Sequence, residues 1–508
     1  MRDVSTPFDM TTSVLGDQRT VWVIVATSFL LFLIGNLPWQ LDDYDQAKQA
    51  FTSFEMIKEG HWLYQQTPHE RVATKPPLVG WISAGIFGLT RSWEVSWRLP
   101  SFIAAIGLAV LLFNSAKAAY GSIAGLIALS AFGFNLLGPR LATLVRTDMP
   151  LAFVIFLIGL LIWQKIQKHH EWKPRDRVYV FLLLTAAMLI KGPIVYAFLL
   201  PGIALFQWRY GRARQPGAPL QNAWSGWWPW IGSLAVFLLW VTGGTLFQPG
   251  FFNEVVMREF LGRFGETIHR SQPLYFYFPH LVHKFAPWSL LIISIAIFEV
   301  ASRRWKIGAA FREMQPATLW LLCWSLGGLL VMSLIPSKRV DRIFPVIPPL
   351  CLLLASQIPG RSAALHRQFG SNSPVGAAGR PYLAIALIFA IFFTSSYTMW
   401  KVISGYRGHR HALAIFGRDV RHEAEAHHRH YELVSAKDEG LLLYLQKTHC
   451  IEPDRAVAEW NAGNLDALVA STEKAAALLP QLRDATVSQL KSSERKKEQG
   501  TGYVFITR

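Results

Sequence analysis

Charge is scarce in this chain. Only 16% of its 508 residues are Asp, Glu, Lys or Arg, against about 25% in an average soluble domain. With 52% apolar residues, that deficit excludes a solvated enzyme of this size, and the same figures exclude disorder and a collagen-like chain. Cysteine is scarcer still. Cys323 and Cys351 lie in apolar blocks and Cys450 lies far downstream, so neither a disulfide framework nor a zinc-ligand cluster is supported. No nucleotide fingerprint, no metal-ligand cluster and no repeat of solenoid period is visible, so no cofactor and no metal is expected. Acidic residues number 33 against 50 basic ones, a net charge of +17. In so apolar a chain that excess is read first as cytoplasmic loop charge, and only second as affinity for a polyanion such as a nucleic acid, which is not expected as a partner.

What the chain has instead is long apolar runs, in blocks of roughly 17–22 residues, the length that crosses a bilayer. The first, at 21–37, follows Arg2 and Arg19 and is read as an uncleaved signal anchor with its N-terminus inside. Others lie near 98–116, 121–138, 149–165, 178–191, 194–208, 227–246, 281–300, 316–335, 344–356 and 382–400, which makes about eleven spans. A further block at 77–90 is short and glycine-bearing. If it rests on the outer surface, every inside loop is basic, from Lys117 through Lys165, Arg209, Arg303 and Arg361. If it crosses, that charge falls outside, against the positive-inside rule. The non-crossing reading leaves three outside regions: 38–97, 247–280 and everything after about 401.

After residue 401 the apolar runs shorten and acids return. Segments 441–445 and 503–506 read as short strands, and 466–479 as a helix ending before Pro480. The expectation is a mainly α, polytopic helical bundle over 1–400, with juxtamembrane helices in its first outside loop. A small soluble α/β domain over 401–508 follows on the outer face. The His-rich stretch from His422 to His430 reads as a solvated polar helix.

Several ionisable residues sit where outside loops meet spans. Asp42, Asp43 and Asp45 follow the first span. After Asp45 the apolar residues Ala47, Ala50, Phe51, Phe54 and Ile57 keep helical spacing, which places Asp45 at the N-terminal end of a helix lying on lipid or protein. An acid there can cap the helix or serve as a general base. Asp148 stands just before another span with the same two readings. Outside cations are disfavoured and each needs a reason. They are Lys75, Lys191, Arg258, Arg263, Lys284 and the group Lys338, Arg339 and Arg342. Snorkelling is one reason. As a set they describe a site for an anion at the membrane surface, most naturally a lipid phosphate.

The motifs Asp45-(x9)-Glu55-Met56, Gly60-x-Trp62, Lys75-Pro-Pro, Thr147-Asp-Met-Pro-Leu, Lys191-Gly-Pro, Pro287-Trp-Ser and Ser337-Lys-Arg with Pro345 and Pro348-Pro349 resemble, in order and spacing over about residues 20–400, the GT-C type integral-membrane glycosyltransferases. The resemblance is to the bacterial branch that includes the lipid A aminoarabinose transferases and relatives of the dolichyl-phosphate-mannose protein mannosyltransferases. It implies a polyprenyl-phosphate-linked sugar as donor, transfer on the periplasmic side of the bacterial inner membrane, and a lipid A, glycan or protein acceptor. It makes Asp45 the base or acceptor-orienting carboxylate and Asp148 its second acid. Lys75 and Lys338 would face the donor phosphate, with Arg339 and Arg342 beside them. Asp42, Asp43, Lys191, Arg258 and Arg263 remain possible substrate contacts. Gln46, Thr74 and Arg342 depart from the usual pattern around this site and point to a sugar or acceptor other than the lipid A aminoarabinose pair.

Chemically, cations stabilise the departing phosphate, a carboxylate takes the acceptor proton, and a single displacement inverts the anomeric centre. A lipid-linked sugar flippase is the rival reading. It would place ionisable groups near the midplane of spans and show repeated halves, whereas here they gather at span ends.

Overall fold

The computed structural model describes residues 18–41, 44–67, 71–213, 222–263, 271–302, 314–357, 374–435, 439–490, 493–494 and 502–508. Asp42 and Asp43 lie outside them. All eleven long apolar blocks fall on helices: α1 (Gln18–Ile34), α4 (Trp93–Tyr120), α5 (Ser122–Gly133), α7 (Asp148–Lys168), α8 (Pro174–Lys191), α9 (Ile194–Ala213), α10 (Trp228–Phe247), α11 and α12 (Tyr277–Lys284 and Trp288–Ser302), α13 (Pro316–Leu334), α14 (Val340–Gln357) and α15 (Pro374–Arg407). Among the described residues six of these are long and apolar enough to cross a membrane, or seven if a bent pair counts as one. The chain is a multi-pass membrane protein.

The block at 281–300 is not one straight span. Leu274–Lys284 and the helix that follows meet at 109°. The break falls at Pro287, which has no N–H to continue the helix before it. The corner is pinned, since Trp288 Nε1 donates to the Phe134 carbonyl at 2.8 Å and Leu136 N to the Lys284 carbonyl at 3.0 Å.

At the centre of the bundle the helices approach closely on small residues. A Cβ on Gly327 of α13 would lie 2.4 Å from Gly202 N of α9, and one on Gly159 of α7 would lie 2.2 Å from the Trp324 ring. Between membrane helices such contacts replace hydrophobic driving force with close van der Waals packing.

Two helices lie between α1 and α4: α2 (Tyr44–Glu59) and α3 (Leu78–Thr90). The apolar stripe of α2 buries Ala47, Ala50, Phe51 and Phe54. It rests on protein: α2 packs against α3 and against α17 (Glu439–Leu445) of the C-terminal unit.

That unit differs from its sequence reading in two places. Residues 441–445 are the body of α17, not a strand. Five consecutive apolar residues carry no period, and here all five are buried against α2 and α16 (Ala412–Ala426). The expected helix over 466–479 is a strand, β2 (Ala467–Ser471), followed by a short helix (Thr472–Leu478) whose N-cap Ser471 accepts from Lys474 N at 3.4 Å. β2 is a central strand, so the sheet ladder overrides the helical leaning of its alanines. It pairs parallel with β1 (Tyr431–Leu433) and antiparallel with β4 (Tyr503–Thr507), which carries β3 (Thr486–Val487) at its other edge. The strand expected at 503–506 is thus β4. The His-rich stretch ends α16 at Ala426 and runs out in a turn.

The C-terminal unit shares one apolar core with α2 and residues near it. Leu41, Phe51, Phe54, Trp97 and Val145 cluster with Leu413, Phe416, Val420, Leu442 and Phe505. Leu41 N donates to the Tyr444 hydroxyl at 2.7 Å inside that core, and Thr448 donates to Glu59 at 2.6 Å on its rim.

Candidate active site

Asp45 sits in the first turn of α2. Its carboxylate is ion-paired to Arg339 and lies 3.5 Å from Arg146 Nη2. Arg146 reaches past it: its Nη1 donates to Asp341 at 2.7 Å, and Arg140 lies 3.9 Å from the other Asp341 oxygen. Burial raises the Asp45 carboxyl, but Arg339 and Arg146 outweigh it and hold the group below the ordinary carboxylate value. Asp45 is therefore an ionised, tightly oriented carboxylate, a weaker base than a free one and a stronger anchor.

Asp148 opens α7 and accepts from Lys191 Nζ, at the end of α8, at 2.5 Å. Both side chains are about nine-tenths buried. In the interior such a pair holds its charge only because each partner has the other.

Lys191 also lines a cavity of about 270 Å³ together with Lys75 and Arg342. Its apolar lining is Pro193, Ile194 and Ala197 of α9 with its lead-in, Phe260, and Val331, Met332 and Ile335 of α13 and its end. The cations Lys75, Lys191 and Arg342 line the same cavity, so its lining combines apolar and charged side chains. Lys75 is matched there by Glu259, at 3.0 Å. Arg342 Nη1 donates to the Ser337 carbonyl at 2.7 Å, which fixes the guanidinium in place.

The remaining expected site residues fall elsewhere. Lys338 donates to the Gln272 carbonyl at 2.9 Å and does not line this cavity. Arg339 serves Asp45. Arg258 is paired to Glu254 one helical turn away, in a π-helical segment, Phe252–Phe260, that also carries Glu259. The backbone of Arg263 ends the next short turn, and its side chain lies outside the described residues. Among the described residues no group of three His, Cys, Asp or Glu side chains is placed to hold a metal ion.

Sequence reasoning passed over Arg146, Asp341, Glu259 and Lys48. Arg146 carried a usable signal, since the topology read from the sequence puts it at the outer end of a span, the same test that selects Lys75. Asp341 is the one acid inside the basic 338–342 segment. Lys48 is one helical turn beyond Asp45; burial lowers its ammonium below the ordinary lysine value, Lys75 adds to this, and Glu259 and Glu439 act against it. Glu259 had no sequence signal: it is an ordinary acid in a polar loop until the fold sets it against Lys75.

Residues 74–220 match the family model described as dolichyl-phosphate-mannose-protein mannosyltransferase. The chain is 26% identical over 348 residues to an undecaprenyl phosphate-alpha-4-amino-4-deoxy-L-arabinose arabinosyl transferase of Photorhabdus laumondii, covering 65% of this chain and 57% of that one. It is 26% identical over 389 residues to a namesake from Sodalis glossinidius, covering 72% and 63%. The chain thus spans about 60% of the length of these curated relatives. In fold it matches the crystal structure of ArnT from Cupriavidus metallidurans bound to undecaprenyl phosphate, with a TM-score of 0.68 at 17% identity over 96% of this chain and 98% of that one. A more distant match, with a TM-score of 0.51 at 13% identity over 89% and 68%, is the oligosaccharyltransferase of Archaeoglobus fulgidus. The chain has the GT-C fold and, in sequence and architecture, resembles the aminoarabinose-transferase and protein-mannosyltransferase branch of the integral-membrane glycosyltransferases.

Proposed function

We propose that this protein is a membrane glycosyltransferase that moves a sugar from a polyprenyl-phosphate donor to a lipid, glycan or protein acceptor at the periplasmic face of the bacterial inner membrane. The observation that carries the reading is the cavity in which Lys75, Lys191 and Arg342, drawn from three separate parts of the chain, line one space together with apolar residues of α9 and α13. A phosphate fits the cations and a prenyl chain fits the apolar lining. The relatives' undecaprenyl-phosphate-linked donor has this chemistry.

The reaction is one displacement. The acceptor oxygen bonds to the anomeric carbon as the bond from that carbon to the phosphate oxygen breaks, and the electron pair leaves with the phosphate. Negative charge grows on the phosphate as the sugar departs, so the cations bind the transition state more strongly than the ground state. The acceptor proton goes to a carboxylate, with Asp45 first and Asp148 second. If the acceptor is itself an ionised phosphate no base is needed, and Asp45, held low by its arginines, orients groups only. The geometry of inversion follows from in-line attack opposite the leaving group.

Residues 401–508 are taken to lie on the same outer side as the site, since they share a core with the helix that bears Asp45. Helix α3 has 13 residues and reaches about 20 Å, short of the roughly 30 Å hydrocarbon layer, in keeping with a helix that does not cross. Mass spectrometry of envelope glycolipids and glycans, with and without this protein, tests the reading. The expected result is a sugar present only when the protein is present. Identical profiles, together with protein-dependent movement of the lipid-linked sugar across the membrane, would replace it with the flippase reading.

A further inference from the structure

Four motif residues, Glu55, Met56, Gly60 and Trp62, do not line the Lys75 cavity. They meet where α2 ends and the chain turns back. Gly60 follows α2 with φ +81°, a left-handed conformation that glycine adopts without steric cost, and its N–H donates to the Met56 carbonyl at 3.2 Å. The reversal lays His61 along the helix, where its Nδ1 is hydrogen-bonded to Glu55 Oε1. The Glu55 side chain is 3% exposed, and its Oε2 is buried with no hydrogen-bond partner among the described residues. Packing alone would be served at least as well by an apolar side chain there, so the carboxylate is explained by what it holds.

What it holds is the loop that ends at Lys75. Gln65, 1% exposed, donates through Nε2 to the His61 and Trp62 carbonyls at 3.2 and 2.9 Å. The Gln65 carbonyl accepts from Ala73 N at 2.7 Å, and the Arg71 carbonyl from Thr67 N at 2.6 Å, around an antiparallel bridge between Gln66 and Val72. Ala73 is two residues before Lys75. The same loop is fastened to α3 by Trp81 Nε1, which donates to the Trp62 carbonyl at 2.7 Å. It is fastened to α10 by the Tyr64 hydroxyl, which donates to the Trp240 carbonyl at 3.1 Å, and by Trp240 Nε1, which donates to the Leu63 carbonyl at 3.2 Å. The Glu55–His61 contact adds a side-chain tie to α2.

That tie has a geometric consequence. Asp45 is in the first turn of α2, and Glu55 lies about 15 Å farther along the same helix. We propose that Glu55 is a positioning residue: through His61 it holds the loop that ends at Lys75, so that α2 sets the spacing between the Asp45 carboxylate and the Lys75 ammonium. Glu259, at 3.0 Å, then orients the ammonium itself. The effect on donor binding rests on the proposed function; the attachment of the loop does not.

The test uses the full chain in nanodiscs, with undecaprenyl phosphate as the probe, read by hydrogen exchange and native mass spectrometry. In Glu55→Leu, amide exchange at Thr67 and Ala73 is expected to quicken about tenfold, while α2 around Phe51 and Phe54 exchanges as in the parent, which reports that the helix is folded. Undecaprenyl phosphate is expected to be retained about tenfold more weakly. In a Lys75→Met background Glu55→Leu should change retention by less than about twofold, and in an Arg342→Gln background by its full amount, because it acts through Lys75. Glu55→Gln, which can still accept from His61, should restore most of both signals. His61→Ala breaks the same contact from its half-exposed side, with little risk to folding, and should reproduce the Glu55→Leu result. Parent-like exchange at Thr67 and Ala73 in both Glu55→Leu and His61→Ala overturns the attachment. Quickened exchange with parent-like retention, or an equal loss of retention when Lys75 is already methionine, overturns the positioning of Lys75. Retention that does not depend on Lys75 at all would sink the donor reading, while quickened exchange would still support the attachment.

Discussion

Replacing Arg146 with methionine removes a side chain that joins the Asp45 and Asp341 carboxylates. Its side chain is 7% exposed and that of Asp341 is 11% exposed, so this contact is effectively buried. Deleting one partner of a buried pair costs about 3–5 kcal/mol, because the survivor is left charged and unpaired. Two features reduce that here. Asp45 is a third exposed and keeps Arg339, so its loss is screened. Asp341 keeps Arg140, though at 3.9 Å. A destabilisation of about 2–4 kcal/mol is expected, the upper part of what a point mutation does. Denaturant titration of the detergent-purified protein, followed by its tryptophan fluorescence, measures it. The double variant Arg146→Met with Asp341→Leu should be less destabilised than Arg146→Met alone, because no buried carboxylate is stranded. A stability within about 0.5 kcal/mol of the parent for Arg146→Met, or a double variant worse than the sum of its singles, would refute the bridge as described.

Three other outcomes are expected. Glu259→Gln frees Lys75 from a partly exposed ion pair, and such pairs contribute about 0.2–1 kcal/mol; undecaprenyl phosphate should bind up to about fivefold more tightly, and weaker binding in calorimetry would show that Glu259 helps to hold the donor. Asp45→Asn should lower turnover about 10²- to 10⁴-fold if Asp45 is the base. In the parent, the Asp45 pairs are present above the ordinary carboxylate value of 3.8 and are lost only as pH falls through the lower folded value; an acid limb of kcat/KM well above pH 4 would assign that limb to another group. Tyr444→Phe strips the acceptor from the buried Leu41 N–H, at a cost of about 1–3 kcal/mol, and hydrogen exchange should quicken in the helix that bears Asp45; unchanged exchange there would mean that the C-terminal unit does not hold that helix.

Much of the bundle was legible because bilayer thickness sets a length that any apolar block displays, and all eleven blocks are helical. The loop ends were legible for a second reason: the positive-inside rule makes an outside cation conspicuous, which is how Lys75, Lys191 and Arg342 came to notice before the fold joined them. The rule locates cations without pairing them. It gave Lys338 the same weight as Arg342, although Arg342 lines the cavity with Lys75 and Lys338 does not. It said nothing of Glu259 or Asp341, whose importance comes from which cation the fold sets against them. In the C-terminal unit, 441–445 misled because an unbroken apolar run has no period to read, and 467–471 misled because its place in the middle of a sheet is a tertiary fact.

The central claim is that Lys75, Lys191 and Arg342, and not Lys338, grip the donor phosphate. Undecaprenyl phosphate affinity for the purified protein, measured by calorimetry in Lys75→Met, Arg342→Gln and Lys338→Met, tests it most directly. The account expects a loss of about 10- to 100-fold in each of the first two, one charge-assisted contact apiece, and a parent-like value in the third. Unchanged affinity in Lys75→Met, or a loss in Lys338→Met as large as in Arg342→Gln, would contradict it.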